Sequence, residues 1–594
     1  MLAMLAMLVP PVFMAVLWNK LFFGKEERKT KNNCLVYLCC LMAVNFTAIL
    51  ITSYIREEPG NIAYNINNSG IFALKYMLLT NTIAFAVPYI IKLIRQNFTF
   101  QSSMKLPCAA AIKKTSVLYF YTSILVLLNF IRIFDNSFWG DEAFSIKLAQ
   151  MSLSRMLPAT AGDVHPPLYY IFMIAAFKIF GKHGFVFHLV SFLPYFISVI
   201  FVLTVIRKRF GRCVSALFIT FASLLQNAVQ YNVEVRMYSW ASLFVLLSFY
   251  SLYLVISYEK TLYYILLAAA SLAAAYCHYY AMLSVAFFYL GLLLLAIHRR
   301  KSIKKIGMLY LSAVIGYMPW LLTMIKTFKR TAEGFWMTNV SDFSSSIRYF
   351  FETDKEWFSF LLFALTLCFL ALVVLYDSKI ISIKKSNGKI NISISEKKTA
   401  LSDLSWWLIF GVFSATGTII LGELVSYAVR PVYMLRYIYP AASVMWLVIS
   451  VCVSKLNLRR LISCIILVVT LFICLPQYGL TYKTDKEINS RCKDTQKTIS
   501  NQLRPDTVIL TNGAQMEWTI LDYYFPETTH ELMDESFHGF DNAVSFCLVW
   551  TEHLEDNKNA LDYFEKNGYS PNEILHDGIL GNTSVHIYRL IKTD

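Results

Sequence analysis

The sequence predicts a polytopic α-helical membrane protein of about 14 transmembrane helices, with a small extracytoplasmic α/β domain at its C-terminal end. Three observations predict it. First, 57% of the 594 residues are hydrophobic and 15% are charged, whereas soluble domains sit near 45–50% apolar and about 25% charged. Second, apolar runs of roughly 20 residues, each long enough for a membrane helix, recur along most of the chain. Third, the charge is unevenly spread. From Leu480 onward there are 10 Lys+Arg against 19 Asp+Glu, while the remainder carries 44 basic and 19 acidic residues, a net of +25. The formal charge of +16 is therefore no nucleic-acid signal. It reflects basic loops between apolar runs, as the positive-inside bias of membrane proteins requires.

The first apolar runs, 2–22, 34–54 and 71–94, form an N-terminal three-helix membrane extension, 1–101. The run from Met1 has neither a basic leader nor a small-residue cleavage site, so it reads as a retained helix. A polar linker near Ser102–Thr115 precedes a second block, 116–477. Its apolar runs fall at 116–134, 184–206, 213–229, 238–257, 262–280, 281–297, 306–325, 357–376, 404–425, 437–454 and 461–477. Four basic loops alternate with the other loops: Arg207–Arg212, Arg299–Lys305, Lys384–Lys398 and Lys455–Arg460. Placed in the cytoplasm, they put both termini on the other side. The apolar stretch Leu168–Phe180 is too short to span and suits an interfacial or re-entrant helix. If it crossed, Arg207–Arg212 would fall on the wrong side.

The tail, 480–594, is mixed and polar. DTVIL (506–510), VSFCLVW (544–550) and SVHIYRL (584–590) read as strands by their β-branched and aromatic content, and 484–502 and 558–567 read as helices. Most of the 12 cysteines lie in apolar runs, where a thiol is a small hydrophobe, and no C-x-x-C spacing occurs. Cys492 and Cys547 in the tail form a candidate bridge should that tail face an oxidising compartment.

The same topology places several polar clusters on one, non-cytoplasmic face. Asp141-Glu142 in FWGDEAFS offers paired carboxylates for a general base or a metal, or simply a helix cap. Asp163 and His165, in DVHPPLYY with Tyr169, precede a proline-started helix and read equally as a structural turn. Glu234, Arg236 and Tyr238 lie at the end of a span, where charges are costly unless paired or used. Arg430, Arg436 and Tyr437 enter another span, and a guanidinium fork suits phosphate or snorkels. His278, in CHYYA, is a structural residue or a ligand. The charge scheme that brings these groups together uses only the loops, not the chemistry.

The order FWGDE, DxHPPLYY, ExRMY, HYY, RYxxP resembles the GT-C superfamily of membrane glycosyltransferases. It is most similar to the dolichyl/polyprenyl-phosphate-mannose protein mannosyltransferases and their aminoarabinose-transferase relatives (glycosyltransferase family 39-like), over about 116–477. The resemblance implies an inverting transfer of a monosaccharide from a polyprenyl-phosphate donor, with no nucleotide sugar at the site. Its implied acceptor is a protein, lipid or cell-envelope polymer. Asp141 and Glu142 are the implied catalytic residues, Asp141 as base. Asp163, His165, Tyr169, Glu234, Arg236, Tyr238, Arg436 and Tyr437 are the implied donor- and phosphate-binding set. Some relatives carry Lys at the position of His165, and some hold a divalent metal cation near the counterpart of His278, so a metal is left open there. The implied partners are the sugar donor, the bilayer and a glycan acceptor, with no nucleic acid. A transporter or flippase for lipid-linked sugars is the competing class; it calls for ionisable residues or broken helices near the bilayer midplane.

Overall fold

The computed structural model describes residues 108–592 except 136, 334–342, 379–380, 387–388, 395–399, 457–458, 504–506, 512–515, 533–544, 551–564 and 567. The chain divides into two compact units, Met1–Cys108 with Lys178–Lys182, and Ala109–Phe177 with His183–Asp594. The three expected N-terminal helices lie outside the described residues, as does nearly all of the helix expected at 558–567.

The helices begin with α1 (Cys108–Phe130), which runs on as a 3-10 turn to Phe134, followed by α2 (Gly140–Gln150), α3 (Leu153–Gly162) and α4 (Leu168–Phe180). Helix α5 starts at Gly184 and continues through a π turn, Val202–Ile206, to Phe210. Next come α6 (Arg212–Leu224), the short α7 (Gln226–Tyr231), α8 (Tyr238–Tyr258), α9 (Thr261–Cys277), α10 (Tyr279–His298), α11 (Lys304–Glu333), α12 (Phe343–Tyr349) and α13 (Glu356–Asp377). An antiparallel hairpin, β1 (Ile381–Ser386) and β2 (Lys389–Ile394), sits in the third basic loop. It is followed by α14 (Asp403–Ala428), α15 (Tyr439–Lys455) and α16 (Arg459–Ser500).

Among the described residues nine helices are long and apolar enough to cross a membrane. Exposed Phe472, Leu322, Val117 and Phe120 belong to their outward faces, which suit lipid, not water. Two expected spans are shorter than anticipated. Helices α6 and α9 have 13 and 17 residues, about 20 and 26 Å at 1.5 Å per residue, against a hydrocarbon core near 30 Å. The run 213–229 is interrupted because Leu225 is extended. The run 262–280 ends early because His278 leaves helical geometry and caps the next helix instead. Helix α4 is short, as expected.

The centre of the bundle is α8 and α15. Both are apolar all round, and almost every residue of their spans is buried, the signature of a helix surrounded by others. Close approach onto this pair needs small residues. A Cβ on Gly411 of α14 would lie 2.6 Å from Phe249 Cζ and 2.7 Å from Val448 Cγ2.

Helix α16 fuses the last expected span with the first expected tail helix. Its 42 residues, about 63 Å long, carry the membrane block without a break into the tail domain, so the boundary drawn at 477–480 falls inside a helix. The tail is a five-stranded sheet in the order β4-β3-β5-β7-β6, where β3 is Val508–Thr511, β4 Thr529–Leu532, β5 Ser545–Trp550, β6 Tyr569–Leu580 and β7 Thr583–Lys592. Strand β3 pairs in parallel with β4 and β5, while β7 pairs antiparallel with β5 and β6. Helix α17 (Met516–Tyr524) links β3 to β4. Cys492 is a free, fully buried thiol in this domain's core, so the candidate bridge to Cys547 is not formed. Its sulfur lies 3.7 Å from the Tyr524 hydroxyl instead.

Adding one methyl at Gly411 should destabilise the bundle by about 1–3 kcal/mol through overpacking. Thermal unfolding of the detergent-solubilised protein should show Gly411→Ala melting below wild type. Gly162→Ala, whose added methyl meets nothing within 4 Å, should melt as wild type does.

Candidate active site

Helix α2 is positioned through both oxygens of Glu142. One carboxylate oxygen accepts the Trp139 backbone N–H at 3.3 Å and so caps the helix. The other accepts the Val235 N–H at 2.8 Å, tying the helix to the loop before α8. Both oxygens are thus occupied by backbone donors, and Glu142 acts as a staple. Of the two readings open at Asp141-Glu142, the cap describes Glu142. Burial first, then the nearby charge of Glu234, raises the Glu142 carboxyl well above its usual range.

Asp141 does something else. Its Oδ2 lies 3.0 Å from Arg436 Nη1 and 3.7 Å from Arg236 Nη2, and all three side chains are largely buried. Arg236 reaches it from the loop before α8 and also donates Nη1 to the Asp141 carbonyl and to Ser145 Oγ, each at 3.2 Å. Arg436 reaches it from a 3-10 turn, Leu435–Ile438, that Pro440 converts into α15, since proline fits the first helical turn. Its guanidinium lies over the Trp139 ring, 5.7 Å from the centroid, a cation–π arrangement.

The remaining residues surround this ion cluster. Glu234 Oε2 accepts from Gln230 Nε2 at 2.8 Å. Buried side-chain atoms without a hydrogen-bond partner include Glu234 Oε1, Asp163 Oδ2, Arg236 Nε, Arg436 Nε and the Tyr238 hydroxyl. Such atoms are costly in a finished core and expected where a polar ligand binds. The rings of His165, His278, Tyr238 and Tyr437 form one patch. The centroids are 5.6 Å apart for His165–His278, 5.2 Å for His278–Tyr437 and 5.5 Å for Tyr238–His278. The Tyr169 hydroxyl pairs with Ser191 Oγ at 3.0 Å. The adjacent Tyr170 is the phenol beside Arg236. Among the described residues, no contact joins Arg430 to the cluster.

Electrostatics bears on the metal left open at His278. Its Nδ1 accepts the Tyr280 N–H at 3.1 Å. Burial, then Arg236 and Arg436, pulls its pKa down to about 3, and burial and Arg236 depress His165 likewise. Neutral imidazole is the form that ligates a metal, so the lowered pKa leaves the metal at His278 open. Among the described residues, the cluster of three metal-competent side chains lies elsewhere, in the tail.

The tail supplies contacts that the sequence did not reveal. The Phe138 N–H donates to the Tyr524 hydroxyl at 2.8 Å, Ser137 Oγ meets Asn582 Oδ1 at 2.5 Å, and Thr519 Oγ1 donates to the Gly140 carbonyl at 3.3 Å. Ala143 sits in the tail's hydrophobic core. The segment leading into Asp141 is thereby clamped by α17 and by the β6–β7 turn. Phe138 and Gly140 lie inside FWGDE, but nothing in that motif pointed to the tail.

With that geometry in view, a family model described as dolichyl-phosphate-mannose-protein mannosyltransferase matches residues 164–323. ArnT from Cupriavidus metallidurans in the apo state is similar in structure, at TM-score 0.53 and 10% identity, covering 81% of this chain and 98% of that one. The same enzyme bound to undecaprenyl phosphate matches at TM-score 0.50 and 10% identity, covering 80% and 98%. No curated protein matches the sequence. The fold is similar to that of ArnT, and the apolar helices are those of a multi-pass membrane protein.

Burial, the largest cause, raises Glu234 to about 7. A carboxyl whose folded pKa exceeds its unfolded value of about 4.3 contributes stability below that value and loses it as pH rises through 7. Glu234→Gln should therefore flatten part of the fall in melting temperature between about pH 4.5 and 7. An unchanged pH profile would show that Glu234 is ionised throughout.

Proposed function

We propose that the chain is an inverting glycosyltransferase that moves a monosaccharide from a polyprenyl-phosphate donor to an acceptor hydroxyl on the extracytoplasmic side. The observation that carries this reading is Asp141 buried between Arg236 and Arg436, with guanidinium Nε atoms still unpaired. Two cations converge where one carboxylate answers them, so the site favours a further anion. A lipid-linked phosphate is an anion that such a site can receive from within a bundle, and the likeness to a structure bound to undecaprenyl phosphate supports that class of donor.

The chemistry assigns each residue a part. Asp141 accepts the proton of the acceptor hydroxyl as its oxygen bonds to the anomeric carbon. The bond from that carbon to the phosphate oxygen breaks, and its electron pair leaves on the phosphate. Arg236 and Arg436 stabilise the charge growing there, an effect worth most in a dry, low-dielectric site. Displacement by one nucleophile from the face opposite the leaving group inverts the anomeric centre. Asp163, Glu234, Tyr238, Tyr437 and His165 surround the sugar and phosphate. Tyr169 and Glu142 hold the frame.

The transporter reading draws no support from the bundle centre. Neither Tyr238–Tyr258 nor the stretch 437–454 contains Asp, Glu, Lys, Arg or His, and intramembrane ionisable residues are what such pathways use.

Asp141→Asn should lower transfer from a polyprenyl-phosphate hexose by roughly 10²–10⁴-fold, the usual worth of general-base catalysis, while membrane insertion and detergent elution stay as wild type. Activity retained in that variant would remove Asp141 from the reaction. Lipid flux in liposomes without any transfer would favour the transporter class.

A further inference from the structure

The β6–β7 hairpin of the tail holds a cluster that the transfer reaction does not use. His576 Nδ1 lies 2.8 Å from Glu573 Oε1, and His586 Nδ1 lies 3.4 Å from the same oxygen. On the other side, Asp577 approaches His576 Nε2 at 3.6 Å and His586 Nε2 at 3.7 Å. The two imidazole centroids are 4.3 Å apart.

Such convergence does not come from strand geometry alone. Residues 573 and 576, three apart, would point to opposite faces of a regular strand. Here two register shifts, between Glu573 and Leu575 and between Leu575 and Gly578, re-aim the side chains, as bulges do. Asp577 takes a left-handed φ of +53°, uncommon for a residue other than glycine. The bulge is pinned from α16, where Arg491 donates to the Asp577 carbonyl at 2.5 Å and Thr495 Oγ1 accepts the Ile579 N–H at 3.0 Å. The result sets the Nδ1 atoms of both imidazoles against Glu573 and their Nε2 atoms against Asp577.

We infer that this hairpin carries a divalent-cation site of the zinc class, with His576 and His586 as nitrogen ligands through Nδ1, Glu573 as the carboxylate ligand and the fourth position taken by water. Donor atoms of Glu573, His576 and His586 already lie within 4.8 Å of one another. Ligands at about 2.0–2.1 Å from tetrahedral zinc sit roughly 3.4 Å apart, so closure of these three needs side-chain shifts of about an ångström on a face where His576 and Glu573 are exposed. Imidazole ligands select zinc-like ions over magnesium or calcium, which prefer oxygen. The ion's part is structural: it fastens β6 to β7 a few residues from the turn, whose Asn582 touches Ser137. The site does not depend on the proposed transfer reaction.

The test uses the full chain in detergent, stripped with chelator, reloaded with Zn²⁺ and freed of excess by gel filtration. Elemental analysis should find one more zinc per chain in wild type than in His576→Gln/His586→Gln, whatever is bound elsewhere. His576→Gln alone alters an exposed side chain, so the fold is kept, and it should lose the same ion or retain it only weakly. Replacing zinc with Co²⁺ should give a tetrahedral visible band that both variants lack. Equal zinc content in wild type and in both variants overturns the site, and retention of Mg²⁺ in preference to Zn²⁺ overturns its class.

Discussion

The buried cluster of Asp141, Arg236 and Arg436 is the constraint on which the rest of the structure turns. Ionised groups removed from water cost several kcal/mol each unless geometry offsets the loss. Here the offset is assembled from three distant stretches of chain: the first turn of α2, the loop before α8 and the turn before α15. Each is fixed locally. Glu142 caps α2 and grips Val235, Pro440 starts α15, and Trp139 covers the Arg436 guanidinium. Burial raises the carboxyl pKa of Glu234 and of Asp163, which weakens the negative charge set against the two guanidinium groups. Those two guanidinium groups are the physical basis for the proposed anionic substrate.

Much of this was legible from the residues, and the reasons for the rest are specific. Apolar runs located every described span because a helix in lipid must satisfy its backbone internally. Their ends were less legible, since His278 and Leu225 break helices through backbone geometry that hydropathy does not record. The β1–β2 hairpin was hidden inside a basic loop, although Asn387-Gly388 between alternating isoleucines is a hairpin signal. Loop charge grouped Asp141, Arg236 and Arg436 correctly in space, yet it could not separate Asp141 from Glu142. That distinction rests on which carboxylate faces backbone donors and which faces guanidinium groups.

The tail shows the limit of reading segments one at a time. Its strands β3, β5 and β7 follow from β-branched content, but β6 is bulged, carries Pro571 and matches no simple pattern. Its contribution to the site comes through long-range contacts from Tyr524, Thr519 and Asn582 to residues 137–140. Helix α16 makes those contacts possible by running unbroken from the membrane block into the tail core.

The most direct measurement of the central claim is a cryo-electron-microscopy map of the full chain with a polyprenyl phosphate. Phosphate density is expected within hydrogen-bond distance of Arg436 and Arg236, with the Asp141–Arg436 pair opened so that the carboxylate faces the space left for a sugar. Phosphate density remote from both arginines, with that ion pair intact, would contradict it.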